Sequence, residues 1–260
     1  MPLCRLFHCL SDLVWDAIER SYSYSHQGSE GVQETSITDF LLSVIHLQPR
    51  RRCVVYVPQE VFTGADLDLI LMGQRTKGAH FRMQAKKLKR NETYSDLNRR
   101  NNNGYQADLL CSDPGFYPLY LFYNRYDDPS SSSDRMRLGM QGCAIASGRR
   151  VKHAINPGPN GNNVLGLDAL ISLQDPWWVL VCPSDTTQGT PAARARAAAR
   201  RLGNIGASPD HPAEPDDTTI ENSYRELDGV YRALWEAREG TFRFVEGIGD
   251  VARPVIILSE

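Results

Sequence analysis

The sequence lacks the features that define several common classes of protein. Its six cysteines include no CxxC pair and no zinc-binding spacing, which argues against a zinc ribbon or a dithiol redox site. No apolar run approaches the ~18 residues that a membrane-spanning helix requires, so we expect no membrane partner. The formal net charge is only −2, so bulk charge gives no support for nucleic-acid binding.

Signatures of other enzyme classes are also missing. The glycines of GPNGNN at 158–163 lack the Lys-Ser/Thr of a phosphate-binding loop, there is no GxSxG elbow, and the histidines show no paired metal spacing. Apolar residues recur at helical spacing over 3–14 with no cleavage site after them, which predicts a packed helix and not a signal peptide. Free thiols without an export signal then predict a reducing, cytoplasmic location.

Local charge is more informative than bulk charge. From Arg75 to Arg100 the sequence has nine basic and two acidic residues, and nine minus two gives a local charge of +7. Lys87, Lys89 and Arg90 lie in this stretch and are candidates to contact a phosphate backbone. A solvated basic face is the plainer interpretation of a charge run taken alone.

Hydrophobic periodicity predicts an α/β fold in the first half of the chain. A helix with apolar residues at helical spacing ends before Pro49, three strand-like segments follow, and a weak helix precedes an aromatic strand. The predicted elements are a helix at 29–48, strands at 53–57, 66–72 and 81–88, a helix at 94–110 and a strand at 118–123. Their order is α-β-β-β-α-β.

The whole chain divides into five predicted segments. They are an N-terminal helix and loop (1–28), a core (29–125), an elaboration packed on the core (126–183), a flexible insertion (184–217) and a C-terminal helix and strand (218–260). Within them we expect a loop at 127–134, helices at 142–151 and 219–238, and strands at 177–182 and 255–258; an Ala/Arg tract at 192–201 is compatible with a helix.

Strand alternation groups several polar residues. Asp66 and Asp68 share one face of their strand, and Gln84 and Lys86 share one face of the next. If the two strands form a hairpin, two carboxylates, an amide and an ammonium group converge. Carboxylate and amide oxygens are ligands for a divalent cation that polarises a phosphate, and Lys86 would stabilise the developing negative charge or position the attacking water.

Glu34 is a further candidate on the first core helix. It lies three residues before Ile37, in line with the core-facing stripe, where a carboxylate needs a metal or Lys86 as a partner. The alternative is an exposed glutamate in the first turn, which the helix dipole favours. Glu60 and Gln106 are lesser candidates, for which a loop carboxylate and a packing role are the plainer interpretations.

These residues carry a resemblance to a known superfamily. Glu34, GADLD at 64–68 and QAK at 84–86 resemble the PD-(D/E)xK metal-dependent nucleases, in particular the Mrr-type restriction endonucleases, in which Gln replaces the acid before the lysine. The strings ETSITDFLL, TGADLDLIL, QAKKL and YPLYLFYN are also similar to an uncharacterised group of bacterial proteins thought to be nuclease-like. The resemblance covers roughly residues 30–125.

The resemblance implies a restriction-endonuclease-like core, a mixed sheet flanked by helices, with a C-terminal elaboration. It implies that Asp68 is the metal-binding aspartate, with Asp66 as the alternative or a second ligand. Gln84, Lys86 and Glu34 take the other catalytic positions. The implied cofactor is Mg²⁺ or Mn²⁺, held by the two aspartates, Gln84 and Glu34.

The predicted function is therefore that of a metal-dependent endonuclease that hydrolyses phosphodiester bonds, with DNA as the favoured substrate. Restriction or anti-phage defence is the context that the resemblance suggests. Members of the superfamily that have lost catalysis leave an alternative, a nucleic-acid-binding or interaction module of the same fold. The oligomeric state stays open, a homodimer included.

Overall fold

The computed structural model describes residues 2–24, 31–46, 53–71, 79–125, 140–155, 164–182, 191–204 and 256–258. The predicted loop at 127–134 and the predicted helix at 219–238 lie outside these residues. So do Arg75 and Lys77 of the basic stretch.

A mixed seven-stranded sheet forms the centre of the described structure. In spatial order its strands are β10 (Asp175–Pro176), β8 (Gly142–Ser147), β7 (Tyr117–Asn124), β3 (Ala79–Lys87), β2 (Leu67–Leu71), β1 (Cys53–Tyr56) and β11 (Ile256–Leu258). The β3–β7 pair is parallel, whereas the other neighbouring pairs of this sheet are antiparallel. The predicted α/β class with a mixed sheet is confirmed, as are the strands predicted at 53–57, 66–72, 81–88, 118–123 and 255–258.

Helices cover both faces of the sheet. The helices α1 (Leu3–Tyr24), α2 (Glu34–His46) and α7 (Pro191–Asn204) contribute to the core on one face. The helices α4 (Gln106–Leu110), α5 (Gly148–Ala154) and α6 (Leu167–Ile171) contribute to the core on the other. A one-turn helix, α3 (Glu60–Thr63), joins β1 to β2, and a 3₁₀ helix (Trp177–Leu180) follows β10.

The central strands are buried on both faces, which explains their composition. Every residue of β3 and β7 is buried. In β7, Leu119 and Leu121 enter the core under α1 and α2, whereas Tyr120 and Phe122 enter the core under α4 and α5. A strand covered on both faces carries a nearly continuous apolar run, as PLYLFY does.

The predicted helix over 94–110 is largely wrong. Short strands β4 (Thr93–Tyr94), β5 (Arg100–Asn101) and β6 (Gly104–Tyr105) occupy most of it, and only α4 is helical. Asp96 and Gly104 have φ angles of 55° and 139°, which a right-handed helix does not allow. β4 pairs with β9 (Leu165–Gly166), and β5 pairs with β6.

Two predictions in the second half are also corrected. The residues 142–151 form strand β8 before helix α5, because the apolar run Cys143–Ala146 pairs with β7 in the buried sheet. The residues predicted as a strand at 177–182 instead form a 3₁₀ helix over Trp177–Leu180, and Trp177 packs on Phe7 of α1 with ring centroids 4.2 Å apart. Within 184–217 the Ala/Arg tract is helical, as α7.

The expectation of free thiols is wrong for one pair of cysteines. Cys4 of α1 and Cys182 after the 3₁₀ helix form a disulfide across 178 residues of sequence, whereas Cys9, Cys53, Cys111 and Cys143 are free. The described helices include none with the length and apolarity needed to cross a membrane.

Candidate active site at the β2–β3 hairpin

The register of β2 and β3 sets the geometry of the site. Asp68 lies opposite Arg82, and the Asp66 N–H donates to the Met83 carbonyl at 2.9 Å. Because side chains alternate along strands, Asp66, Asp68, Gln84 and Lys86 all project from the same face of the hairpin. Asp68 and Gln84 therefore share a face, as the nuclease hypothesis requires.

Asp66 is held at the start of β2 by donors from β3. Its Oδ2 accepts a hydrogen bond from the Ala85 N–H at 2.8 Å and another from the Gln84 side-chain amide. Burial raises the pKa of Asp66 to about 7, although the Ala85 N–H and the charge of Lys86 act to lower it. A carboxyl group with this pKa is partly protonated and partly ionised near neutral pH.

Gln84 presents a side-chain oxygen to which no described residue donates a hydrogen bond. The side chain is buried, and its Nε2 donates to Asp66 and to the Ala85 carbonyl. Its Oε1 is buried and has no hydrogen-bond partner among the described residues. A buried acceptor without a partner costs free energy, so a ligand that occupies it would be stabilising.

Lys86 and Glu34 meet at the same place from different elements. The Lys86 ammonium, on a side chain that is 8% exposed, lies 3.9 Å from Oε1 of Glu34 in the first turn of α2. Oε2 of Glu34 accepts the Lys87 N–H at 2.7 Å. Burial raises the pKa of Glu34, and Lys86 acts against that effect. Of the two interpretations of Glu34, the structure supports the partnered one.

Glu60 belongs to the same cluster, although its position in the sequence gave it low weight. The carboxylate of Glu60, in α3, accepts a hydrogen bond from the Gln106 side-chain amide at 2.7 Å. Its charge acts to raise the pKa of both Asp66 and Glu34, so the three carboxylates lie near one another. Its position depends on the one-turn helix α3, whose Glu60 is bound by Gln106 of α4.

Asp68, the aspartate that the resemblance favoured, lies in a different environment. It is fully buried, and Arg82 donates to both of its oxygens, with Nε 3.1 Å from Oδ1 and Nη2 3.0 Å from Oδ2. Tyr56, opposite Asp68 on β1, hydrogen-bonds it as well. Burial lowers the pKa of Arg82, but the hydrogen bonds and charge of Asp68 raise it overall. The carboxylate of Asp68 is thus occupied by a bidentate ion pair.

The three basic candidates for nucleic-acid contact differ in exposure. Lys87 is buried, and its ammonium donates to the Val32 carbonyl at 2.6 Å. Arg90 is exposed and donates to the Tyr22 carbonyl, also at 2.6 Å, so Arg90 helps to hold the end of α1, whereas Lys87 holds the segment that precedes α2. Lys89 between them is half-buried.

A cleft of about 280 Å³ opens beside the cluster. Its lining includes Glu34 and Thr38 of α2, Glu60 of α3, and Asp66. Oxygen donors of this kind suit a hard divalent cation such as Mg²⁺. Among the described residues, one group of three metal-ligating side chains has its ligand atoms within 4.8 Å of one another, and that group lies outside the cleft. The carboxylates of the cleft form an open set, with a wider spacing than in that group. An open set fits Mg²⁺, which keeps several waters and uses one or two carboxylates.

Comparison with known proteins adds a family but no activity. The profile of a family of unknown function (DUF6615) matches residues 3–254, nearly the whole chain. No curated protein and no solved structure matches the chain. The assignment of chemistry therefore depends on the geometry of the cleft.

Proposed function

The chain belongs to the DUF6615 family of unknown function, and we propose that it is a metal-dependent nuclease that acts at the β2–β3 hairpin. The observation that carries the proposal is that Asp66 and Glu34 line one cleft, where Asp66 accepts a hydrogen bond from Gln84 and Glu34 pairs with Lys86. The residues come from two adjacent strands and a helix that are distant in sequence, so their convergence is a property of the fold.

The order of elements supports the proposal. α2, β1, β2, β3, α4 and β7 follow the α-β-β-β-α-β order of the PD-(D/E)xK core, with α3 and three short strands inserted. Asp66 and not Asp68 is then the metal-facing aspartate, because Arg82 already satisfies both oxygens of Asp68. Asp66 also immediately precedes β2, which is the strand next to β3, where Gln84 and Lys86 lie.

Each residue has a distinct role in the proposed chemistry. A bound Mg²⁺ or Mn²⁺ ion would polarise the scissile phosphate and lower the pKa of an attacking water. Asp66 and the free Oε1 of Gln84 would hold the ion, with Glu60 as a further carboxylate. The Lys86 ammonium would stabilise the charge that develops on the phosphate, and Glu34 would orient that ammonium.

Exposed side chains next to the cleft suit a nucleic-acid strand. Val61 and Phe62 of α3 are 44% and 58% exposed, and Tyr105 of β6 is 39% exposed. Asn101 donates to the Val61 carbonyl, which joins the β5–β6 hairpin to α3. Arg100 lies over the Tyr105 ring, 5.6 Å from its centroid. Aromatic and basic groups arranged in this way stack on bases and contact phosphates.

The test is a cleavage assay on plasmid DNA, linear duplex and single-stranded RNA with Mg²⁺, Mn²⁺ or chelator. We expect metal-dependent cutting by the wild type and a loss of about 10²-fold or more in Lys86→Ala, because the developing charge loses its stabilising cation. Lys152→Ala is the matched control, since Lys152 is half-exposed on α5, bonded to Asp108, and should cut normally.

The contrary results are equally specific. Lys86→Ala that cuts as fast as the wild type would exclude this site. A folded wild type that cuts none of the substrates, but binds them with a steep salt dependence, would favour the alternative of a non-catalytic nucleic-acid-binding module.

A further inference from the structure

A second cluster of metal-ligating side chains lies away from the cleft, where α1 meets the 3₁₀ helix. Cys4 and His8 are four residues apart in α1, so their side chains lie on the same face, one turn apart. Cys182 follows the 3₁₀ helix. The two sulfur atoms and an imidazole nitrogen all lie within 4.8 Å of one another.

Aromatic contacts hold this cluster in place independently of the disulfide. The ring of His8 stacks on Trp178, with centroids 4.4 Å apart and planes at 23°. The neighbouring Trp177 stacks on Phe7 and donates its Nε1–H to the Phe7 carbonyl at 2.9 Å. The 3₁₀ helix is thereby fixed against α1, so breaking the S–S bond would leave both cysteines close to His8.

We propose that the reduced protein binds one thiophilic divalent cation, such as Zn²⁺, through Cys4, Cys182 and His8. Two thiolates and an imidazole are a common set of three protein ligands for zinc, and a water would complete the tetrahedron. The sulfur atoms would have to separate to about 3.8 Å, the distance that Zn–S bonds of 2.3 Å set in a tetrahedron. Rotation about the Cα–Cβ bonds supplies that movement.

The disulfide and the metal are mutually exclusive states of the cluster. A dithiol reductant would donate two electrons and two protons to the Cys4–Cys182 bond and would itself become a disulfide. The cation would then displace the two thiol protons. His8 is exposed, so the cluster is open to a metal from solvent. The soft ligands also separate this site from the oxygen-lined cleft, which favours Mg²⁺ or Mn²⁺.

The test uses the full chain, reduced with a phosphine, desalted without oxygen and titrated with Co²⁺. We expect one equivalent per chain, a thiolate-to-cobalt charge-transfer band, tetrahedral d–d bands, and displacement of these bands by Zn²⁺. His8→Ala should weaken Co²⁺ binding at least about tenfold, as expected when a ligand is removed. Because His8 is exposed, this variant should fold normally.

The neighbouring cysteine provides the matched control. Cys9→Ser should bind Co²⁺ as the wild type does, whereas Cys4→Ser and Cys182→Ser should lose most of the charge-transfer band. The proposal is overturned if the reduced wild type shows no such band, if the band survives in the Cys4→Ser/Cys182→Ser double variant, or if His8→Ala binds with unchanged affinity.

Discussion

Asp66 and Asp68 lie two residues apart on one face of the hairpin, yet Arg82 encloses one carboxylate and the other borders a cleft. Asp68 is fully buried and receives two hydrogen bonds from Arg82. Asp66 receives its hydrogen bonds from a backbone N–H and a neutral amide, so no cation cancels its charge completely. Replacing Asp68 should therefore lower stability, whereas replacing Asp66 should abolish activity.

The first prediction at this scale separates stability from activity. Asp68→Asn should lower the free energy of unfolding by about 3 kcal/mol, because the buried Arg82 loses its bidentate partner and keeps only the part-exposed Asp113 as a charged partner. Asp66→Asn should leave stability near that of the wild type or higher at pH 7 and above, since it removes a buried carboxylate, while cleavage is lost. Urea denaturation beside the cleavage assay measures both effects. Equal destabilisation by the two substitutions would contradict the division of roles.

The second prediction concerns the pH dependence of metal binding. The pKa of Asp66 in the folded protein, about 7, lies above the ordinary value of 3.8 because the carboxyl group is buried. In the metal-free protein this group therefore contributes most to stability at low pH, and the contribution is lost as the pH rises through 7. A cation requires the ionised carboxylate, so Mn²⁺ should bind about tenfold more weakly at pH 6 than at pH 8.

Calorimetric titration with Mn²⁺ at the two pH values measures this dependence. Asp39→Asn is a suitable control, since Asp39 lines the outer cleft and its replacement should leave the pH dependence intact. Affinity that does not change between pH 6 and pH 8 would show that Asp66 does not control binding.

The third prediction concerns His80, which is buried against Phe116. Burial, and to a lesser extent the charge of Arg82, lowers the pKa of His80 to about 3. The unfolded chain binds a proton near pH 6.5 and the folded protein does not, so stability should fall as the pH drops below 6.5. From pH 7 to pH 5 this group should cost about 2 kcal/mol. When stability is measured by chemical denaturation at both pH values, His80→Gln should lose about 2 kcal/mol less than the wild type. Identical pH profiles for the two proteins would show that His80 does not cause the loss.

At the scale of elements, the contact between α3 and α4 positions Glu60, for which a loop carboxylate was the plainer interpretation of the sequence. α3 ends at Thr63 and is followed by Gly64, which has a φ of 66°. A Cβ atom at Gly64 would lie 2.2 Å from the Gln106 carbonyl oxygen, so only glycine permits this close approach. The same approach lets the Gln106 side chain hold Glu60.

The fourth prediction follows from this contact. Gly64→Ala should lower the free energy of unfolding by at least about 2 kcal/mol, through the positive φ and the clash with α4. It should also reduce cleavage, because α3 and Glu60 shift away from the cleft. Gly166→Ala is the control, since the nearest atom to its Cβ would be 4.0 Å away. Thermal unfolding would contradict the argument if the two variants were equally stable.

At the scale of the whole molecule, α1 is an integral part of the core and not an appendage. Phe7, Leu10 and Val14 of α1 are fully buried on the sheet face that α2 and α7 also cover. Trp177, 170 residues further along the chain, stacks on Phe7 and is itself 2% exposed. The first and last thirds of the sequence therefore share one core.

The fifth prediction tests that dependence. Trp177→Ala should lower the free energy of unfolding by about 3–5 kcal/mol, because it leaves a large cavity next to Phe7. Trp178→Ala, which removes a half-buried ring stacked on the exposed His8, should cost much less. Denaturant unfolding that retains the wild-type midpoint in Trp177→Ala would show that α1 is not needed for the core.

The sequence by itself determined the elements whose signal is local. Alternation along β2 and β3 grouped Asp66 with Asp68 and Gln84 with Lys86, and the apolar run of β7 indicated a strand. Helix periodicity put Glu34 in line with the core. Local propensity gave the wrong answer over 94–110, where isolated residues with positive φ and pairing with β9 outweigh a weak helical pattern.

Tertiary structure alone decided what each charged group faces. Spacing cannot distinguish Asp66 from Asp68, because the distinction comes from Arg82 across the strand pair and from Tyr56 on β1. It cannot place Glu60, which reaches the cleft only because α3 packs on α4. Spacing also cannot show that Cys4 and His8 lie beside Cys182, which is 178 positions along the chain from Cys4. Such contacts depend on how whole helices pack and not on the neighbouring residues in the sequence.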